Sequence, residues 1–137
     1  MTRINTGIMP QYLCDQHLIA EHKEIVRVRH VQKSKSEAPN TFKLGTGHVL
    51  FFKDKLGYIS YRYRQLHNEC LKRGFNVTDF SSSFNNYDLS GDYAPTQIAT
   101  ELIKARIKER LEGMATIRYC GTKVTDEQAV DILNGNI

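Results

Sequence analysis

Leu56, Ile59, Tyr63, Leu66 and Cys70 recur at i, i+3 and i+7 spacings, a set that only a helix gathers on one side. Lys72-Arg73-Gly74 then supplies the cations and the glycine of a helix C-terminus, so the spacing predicts a helix from near Asp54 to Gly74. Two other segments share the period. The first runs from about Pro10 to about Gln32, with Cys14, Leu18, Ile25 and Val28 on one side and Pro10 where a first turn tolerates it. The other runs from near Pro95 to about Glu112, with Ile98, Leu102, Ile103, Ile107 and Leu111 inward and Gly113 closing it. Thr125 with Gln128 three residues on has the capping-box form, so "DEQAVDIL" reads as a short amphipathic helix.

The stretches between these segments read as connections. "KSKSEAPN" (33–40) is a surface loop, "FKLGTGHVLFF" (42–52) a buried link with two glycines, and 76–95 a long polar, turn-rich loop. The expectation is an all-α chain: one compact domain over residues 1–137, of three main helices with long loops and a short extra C-terminal helix, residues 121–137 forming an added tail.

With 137 residues, 40% hydrophobic, the chain suits one domain with a real core. No apolar run reaches membrane-helix length and the first residues lack a signal peptide's apolar stretch, so an intracellular protein with no membrane partner is expected. Cys14, Cys70 and Cys120 are odd in number and widely spaced, which fits neither a disulfide framework nor a zinc cluster; Cys14 and Cys70 fall at core positions. No metal-ligand spacing appears, and "GTG" (45–47) lacks the lysine of a phosphate loop, so neither metal nor cofactor is expected. Nineteen Lys and Arg against fifteen Asp and Glu give a net charge of +4, which leans toward a polyanionic partner.

The chemistry-bearing pattern lies early. "MTRIN" is the kind of start from which methionine is normally trimmed, which would expose an α-amine on Thr2; such an amine titrates near 7.7–8.0 and is partly an uncharged nucleophile at neutral pH. On the first predicted helix, Gln16, His17, Ala20, Lys23, Glu24 and Arg27 project onto one arc. One reading is a solvated face in which Glu24 offsets the repulsion of Lys23 and Arg27. The other is a site wall, with Glu24 as acid or base and the cations holding phosphates. "YRYRQLH" (61–67), "CLKRGFN" (70–76) and "KARIKER" (104–110) add basic residues on the other two helices, the last with Lys104, Arg106, Lys108 and Arg110 on its exposed side. Together they predict one electropositive surface. His17 either faces that site or packs between helices, His48 is structural, and His22, His30 and His67 have no ligand pattern.

At "MTRIN", "DQHLIAEHKEI" (15–25), "LGTGHVLFFKDKL" (44–56), "ECLKRGFN" (69–76) and "GDYAP" (91–95) the chain resembles the phage pyrimidine-dimer DNA glycosylase/AP lyase family of endonuclease V type. The blocks occur in the family's order, up to about Gly121. The resemblance implies a three-helix fold with the N-terminal segment threaded between helices one and three. It also implies a repair enzyme for UV-damaged duplex DNA, monomeric, in the host cytoplasm. Thr2 then matches the nucleophile whose amine forms an imine at C1′ of the damaged nucleotide. Glu24 matches the glutamate that assists proton transfer and β-elimination. Arg3 and Gln16 match site residues, Arg27 a phosphate-binding arginine, and Arg106 and Arg110 basic positions on helix three. Lys23 stands where the family uses arginine, which keeps the charge and loses the bidentate fork.

Two departures bear on specificity. The loop after helix one is shorter than the family's basic loop. The family's aromatic-rich C-terminal segment, which lies against DNA, is represented by "TIRYCGTKV" (116–124), where Tyr119 is the only aromatic. A non-catalytic or differently specific paralogue, acting on modified DNA or RNA, is the alternative that these departures leave open.

Overall fold

The computed structural model describes residues 2–136. An extended N-terminal segment leads into a single 3-10 turn at Pro10–Tyr12, then α1 (Asp15–Glu24), a 3-10 stretch over Ile25–Lys33, and α2 (His48–Phe51). The long helices α3 (Leu56–Lys72) and α4 (Gln97–Glu112) follow, then a hairpin of β1 (Ile117–Tyr119) and β2 (Thr122–Val124), and α5 (Asp126–Leu133). The chain is predominantly helical, as expected. Among the described residues no helix is long and apolar enough to cross a membrane.

The stripe on α3 is the floor of the core: Leu56, Ile59, Tyr63, Leu66 and Cys70 are all buried, and Gly74 ends the helix at φ +83°. On α4 the inward set is Ala99, Ile103, Ile107 and Leu111, whereas Ile98 and Leu102, expected inside, are 72% and 43% exposed. The α4 stripe is thus one residue wide and advances every fourth position, leaving its 98–102 flank uncovered.

The expected first helix is three pieces. Leu13 and Cys14 are extended, so the Pro10–Tyr12 turn cannot run into α1; past Glu24 the chain tightens to 3-10 geometry. Ile25, Val26, Val28 and Val31, β-branched and with little helix preference, lie in that tightened stretch. The 42–52 link carries the four-residue α2 rather than being irregular, with Phe51 and Phe52 buried beneath the edge-on ring of Phe42.

The hairpin departs from the all-helical expectation. Its turn residues Cys120 and Gly121 both take positive φ (+51° and +81°), the geometry that matches the right-handed twist of paired strands. A cysteine is a poor residue for that conformation, and Asp15 compensates: its carboxylate accepts from the N–H of Cys120 and of Gly121, each at 2.8 Å. The same carboxylate pairs with Arg73, whose guanidinium also reaches Glu69 and lies 4.5 Å over the Tyr119 ring. After the hairpin, Thr125 and Gln128 form the capping box as expected, and α5 buries Ala129 and Leu133 against α4 and β1.

One polar knot lies inside. Arg62 on α3 donates from Nε and Nη2 to Glu21 on α1 at 2.5 and 3.1 Å, and from Nη1 to the carbonyl of Ile8 at 2.9 Å. Glu21 also accepts from Asn5 at 2.9 Å. Both charged side chains are under 5% exposed. Replacing Arg62 by leucine leaves the Glu21 carboxylate buried beside no cation, and the expected loss is about 3–5 kcal/mol in urea unfolding at pH 7. A loss below about 1 kcal/mol would show that water reaches Glu21.

The buried histidines set a second expectation. Burial holds the pKa of His48 down to about 4, and burial followed by the neighbouring His67 lowers that of His22. Free histidines titrate near 6.5. Between about pH 6.5 and pH 4 the unfolded chain therefore binds protons that the folded chain refuses, and stability falls as pH falls through that window. The urea midpoint at pH 4.5 should lie clearly below that at pH 7; an unchanged midpoint would contradict the burial of these rings.

Candidate active site

The N-terminal segment is fixed from Ile4 onward. The N–H of Ile4 donates to Nε2 of His48 at 3.0 Å, Asn5 reaches Glu21, the Thr6 hydroxyl meets that of Tyr58 at 2.5 Å, and Arg62 holds the carbonyl of Ile8. Gly7 passes so close to α4 that a Cβ there would stand 2.0 Å from Thr100 Oγ1. The segment thus touches α1, α2, α3 and α4 within five residues. Arg3, immediately before the first of these anchors, is delivered to the rim of a cleft.

That cleft, about 330 Å³ with its open mouth, runs between α1 and α4. His17, Ala20 and Glu24 line it from α1 at i, i+3 and i+7, and Ile107 and Arg110 from α4 at i and i+3. Ala20 is the small residue at the centre of its wall and keeps the opening wide. Asn5 and Glu21 close the inner end.

The charges here differ in kind from those in the core. Buried N–H groups of Arg3 (Nε), Arg106 (Nε and Nη2) and Arg110 (Nε) meet no hydrogen-bond acceptor among the described residues. Burial, then Arg110 and Arg3, pull the pKa of Arg106 down to about 10; burial, then Arg3, lower that of Arg110. These three cations are mutually repulsive and partly dehydrated, while no ion pair within 4 Å joins them to a carboxylate among the described residues. Arg62 and Arg73 are fully paired instead. His17 has an unpartnered, buried Nδ1, and burial followed by Arg110 and Arg3 hold its pKa down to about 4, so it is a neutral imidazole at pH 7. A dehydrated cation cluster with free donors is a receptor for an anion. Glu24, half-buried in the same cleft, is its only carboxylate among the described residues besides Arg62-bound Glu21.

The expected site residues therefore divide. Arg3, Glu24 and Arg110 share the cleft wall, and Arg106 lies close enough for Arg3 and Arg110 to depress its pKa. Thr2 is half-buried and adjoins Arg3; Met1 lies outside the described residues. Lys23 and Arg27 are exposed on the outer face and do not line the cleft. Gln16 is bound to the segment around β1, donating to the carbonyl of Thr116 at 2.8 Å and accepting from the N–H of Arg118 at 3.1 Å. Tyr119 donates its hydroxyl to the carbonyl of Gln11 at 2.7 Å and gives its face to Arg73.

The basic residues of the three helices divide. Arg62 and Arg73 turn inward to carboxylates, Arg106 and Arg110, expected on the exposed side of α4, are half-buried, and Lys23, Arg27, Arg64, Lys72 and Lys108 are exposed. Sequence reasoning misses Asn5, Glu21 and Arg62 as the residues that seat the N-terminal segment. The one local signal is an acidic residue three before Glu24, which projects away from the solvated face.

Residues 1–82 match the family model described as pyrimidine dimer DNA glycosylase. The matched part holds Thr2, Arg3, Gln16, Lys23, Glu24 and Arg27, together with the Glu21–Arg62 pair and His48; Arg106, Arg110 and Tyr119 lie beyond it. With the N-terminal segment, α1, α2 and α3 all inside the match, the chain belongs to the pyrimidine dimer DNA glycosylase family.

Proposed function

We propose that this chain is a DNA glycosylase with AP lyase activity on duplex DNA carrying cyclobutane pyrimidine dimers. The observation that carries this reading is the cluster of Arg3, Arg106 and Arg110, with unpartnered buried donors beside Glu24. Phosphates of a bent duplex are the anions that such a cluster accepts. Lys23 and Arg27, exposed on the neighbouring face, extend the grip along the backbone.

In this reading the amine of Thr2, free once Met1 is removed, adds to C1′ of the damaged nucleotide. The glycosidic electron pair leaves with the base, which takes up a proton, and ring opening gives an imine between Thr2 and the sugar. The protonated imine acidifies the C2′ hydrogen. Glu24 takes that proton, the C3′–O bond breaks, and the 3′ phosphate departs with the electron pair, nicking the strand. Water then hydrolyses the imine and frees the amine. Neutral His17, with one open nitrogen, is suited to hydrogen-bond the opened sugar. Gln16 and Tyr119 act at one remove, Gln16 by holding the hairpin to α1 and Tyr119 by holding it to the Pro10–Tyr12 turn.

A narrower reading, AP lyase without dimer recognition, is favoured by one observation. Tyr119 is the only aromatic of 116–124, and its ring and hydroxyl are both engaged within the chain. Stacking surface for a dimer must then come from elsewhere.

Glu24→Gln should retain duplex affinity within about twofold while nicking falls about 10²–10⁴-fold on an abasic duplex. Nicking at the unaltered rate would remove Glu24 from the mechanism. Arg106→Ala and Arg110→Ala should each reduce the slope of log affinity against log salt by about 0.9, the change that accompanies one fewer neutralised phosphate. Unchanged slopes would contradict the cleft as the phosphate receptor. Nicking of both abasic and dimer duplexes supports the full reading, and of the abasic duplex alone the narrower one.

A further inference from the structure

We infer that His48 is a positioning residue for the Thr2 amine, acting through its hydrogen bond to the backbone of Ile4. The inference rests on the proposed role of Thr2. His48 opens α2, and its Nε2 lies 3.0 Å from the Ile4 nitrogen while Nδ1 lies 2.8 Å from the carbonyl oxygen of Lys43. A backbone N–H only donates and a backbone carbonyl only accepts. The tautomer is therefore determined: the proton is on Nδ1, and the Nε2 lone pair faces Ile4.

The ring cannot turn away from this duty. It is 2% exposed and stands edge-on between Phe42 and Phe52, with centroids 5.4 and 5.6 Å away. Burial keeps it neutral, its pKa lowered to about 4, so the acceptor persists across the pH range in which an α-amine is nucleophilic.

The position of the bond along the chain gives it leverage. Among the described residues Ile4 is the first of the segment held by a polar side chain of another element; Asn5, Thr6 and Ile8 are held next, by Glu21, Tyr58 and Arg62. From a fixed Ile4 the Thr2 Cα reaches at most two residue steps, about 7 Å. The Ile4 side chain is itself buried, so losing the hydrogen bond leaves this residue held by packing alone and frees the direction of its backbone N–H, from which the two steps to Thr2 start. An attacking atom that must sit about 3–3.5 Å from C1′ loses much of its productive population to such freedom, whereas DNA contacts by Arg106 and Arg110 are unaffected.

The test is the first-order rate constant for borohydride-trapped adduct on a saturating abasic duplex, for the unaltered chain, His48→Leu and His48→Gln. His48→Leu should trap about 10–100-fold more slowly, with duplex affinity within about twofold. His48→Gln, which restores an acceptor near the Nε2 position, should recover most of the rate. A purely structural role lowers the fraction of active protein, hence the amplitude, and leaves the rate constant intact; that result would overturn the inference. Equal slowing in both variants would overturn it too, because the hydrogen bond would not be the cause. If neither variant folds, ¹⁵N chemical shifts of His48 in the unaltered chain decide: a protonated Nδ1 with a pyridine-like Nε2 supports the anchor, and the reverse tautomer overturns it. No adduct from unaltered protein with a free Thr2 amine would instead overturn the proposed function, and this inference with it.

Discussion

The buried pair of Glu21 and Arg62 is the constraint from which the rest of the molecule is organised. Neither charge survives in the interior without the other, so α1 and α3 must approach in one register. The donors and acceptors left over after pairing are used on the N-terminal segment: Glu21 takes Asn5, and Arg62 takes the carbonyl of Ile8. A segment with no helix or strand of its own is thereby given a fixed path. A hydrophobic pair in place of Glu21 and Arg62 would close the core equally well and leave the Asn5 side chain and the Ile8 carbonyl without their partners.

Arginine is put to two opposite uses. Arg62 and Arg73 are surrounded by carboxylates, carbonyls and an aromatic face, and they tie elements together. Arg3, Arg106 and Arg110 have buried donors and no acceptor among the described residues, and burial and mutual repulsion lower the pKa of Arg106 and Arg110. The second arrangement costs stability in the free protein. It is the expected form of a site whose missing charge arrives with the substrate, since a satisfied cation would have to be released before it bound a phosphate.

Much of this is legible in the sequence. The α3 stripe, the glycine stop at Gly74 and the Thr125–Gln128 capping box follow from spacing, because each is settled within a few residues of itself. The three-way break of the first helix is not legible: apolar period alone does not separate α from 3-10 geometry, nor reveal extended backbone at Leu13 and Cys14. The hairpin is hidden because strands of three residues carry no measurable alternation, and its turn depends on Asp15, over a hundred residues earlier. At the site, Arg3, Glu24 and Arg110 can be named from local pattern and resemblance. Glu21 and His48 cannot, because their partners, Arg62 and Ile4, stand 41 and 44 residues away.

The proposed chemistry turns on one atom, the Thr2 nitrogen, which the segment anchored from Ile4 onward would present to DNA. Borohydride reduction of the processed protein on a dimer-containing duplex, followed by digestion and mass mapping of the cross-linked peptide, examines that atom directly. The account predicts a deoxyribose remnant on the N-terminal nitrogen of Thr2 and on no lysine. A remnant on a lysine side chain, or no cross-link from protein whose Thr2 amine is free, would contradict it.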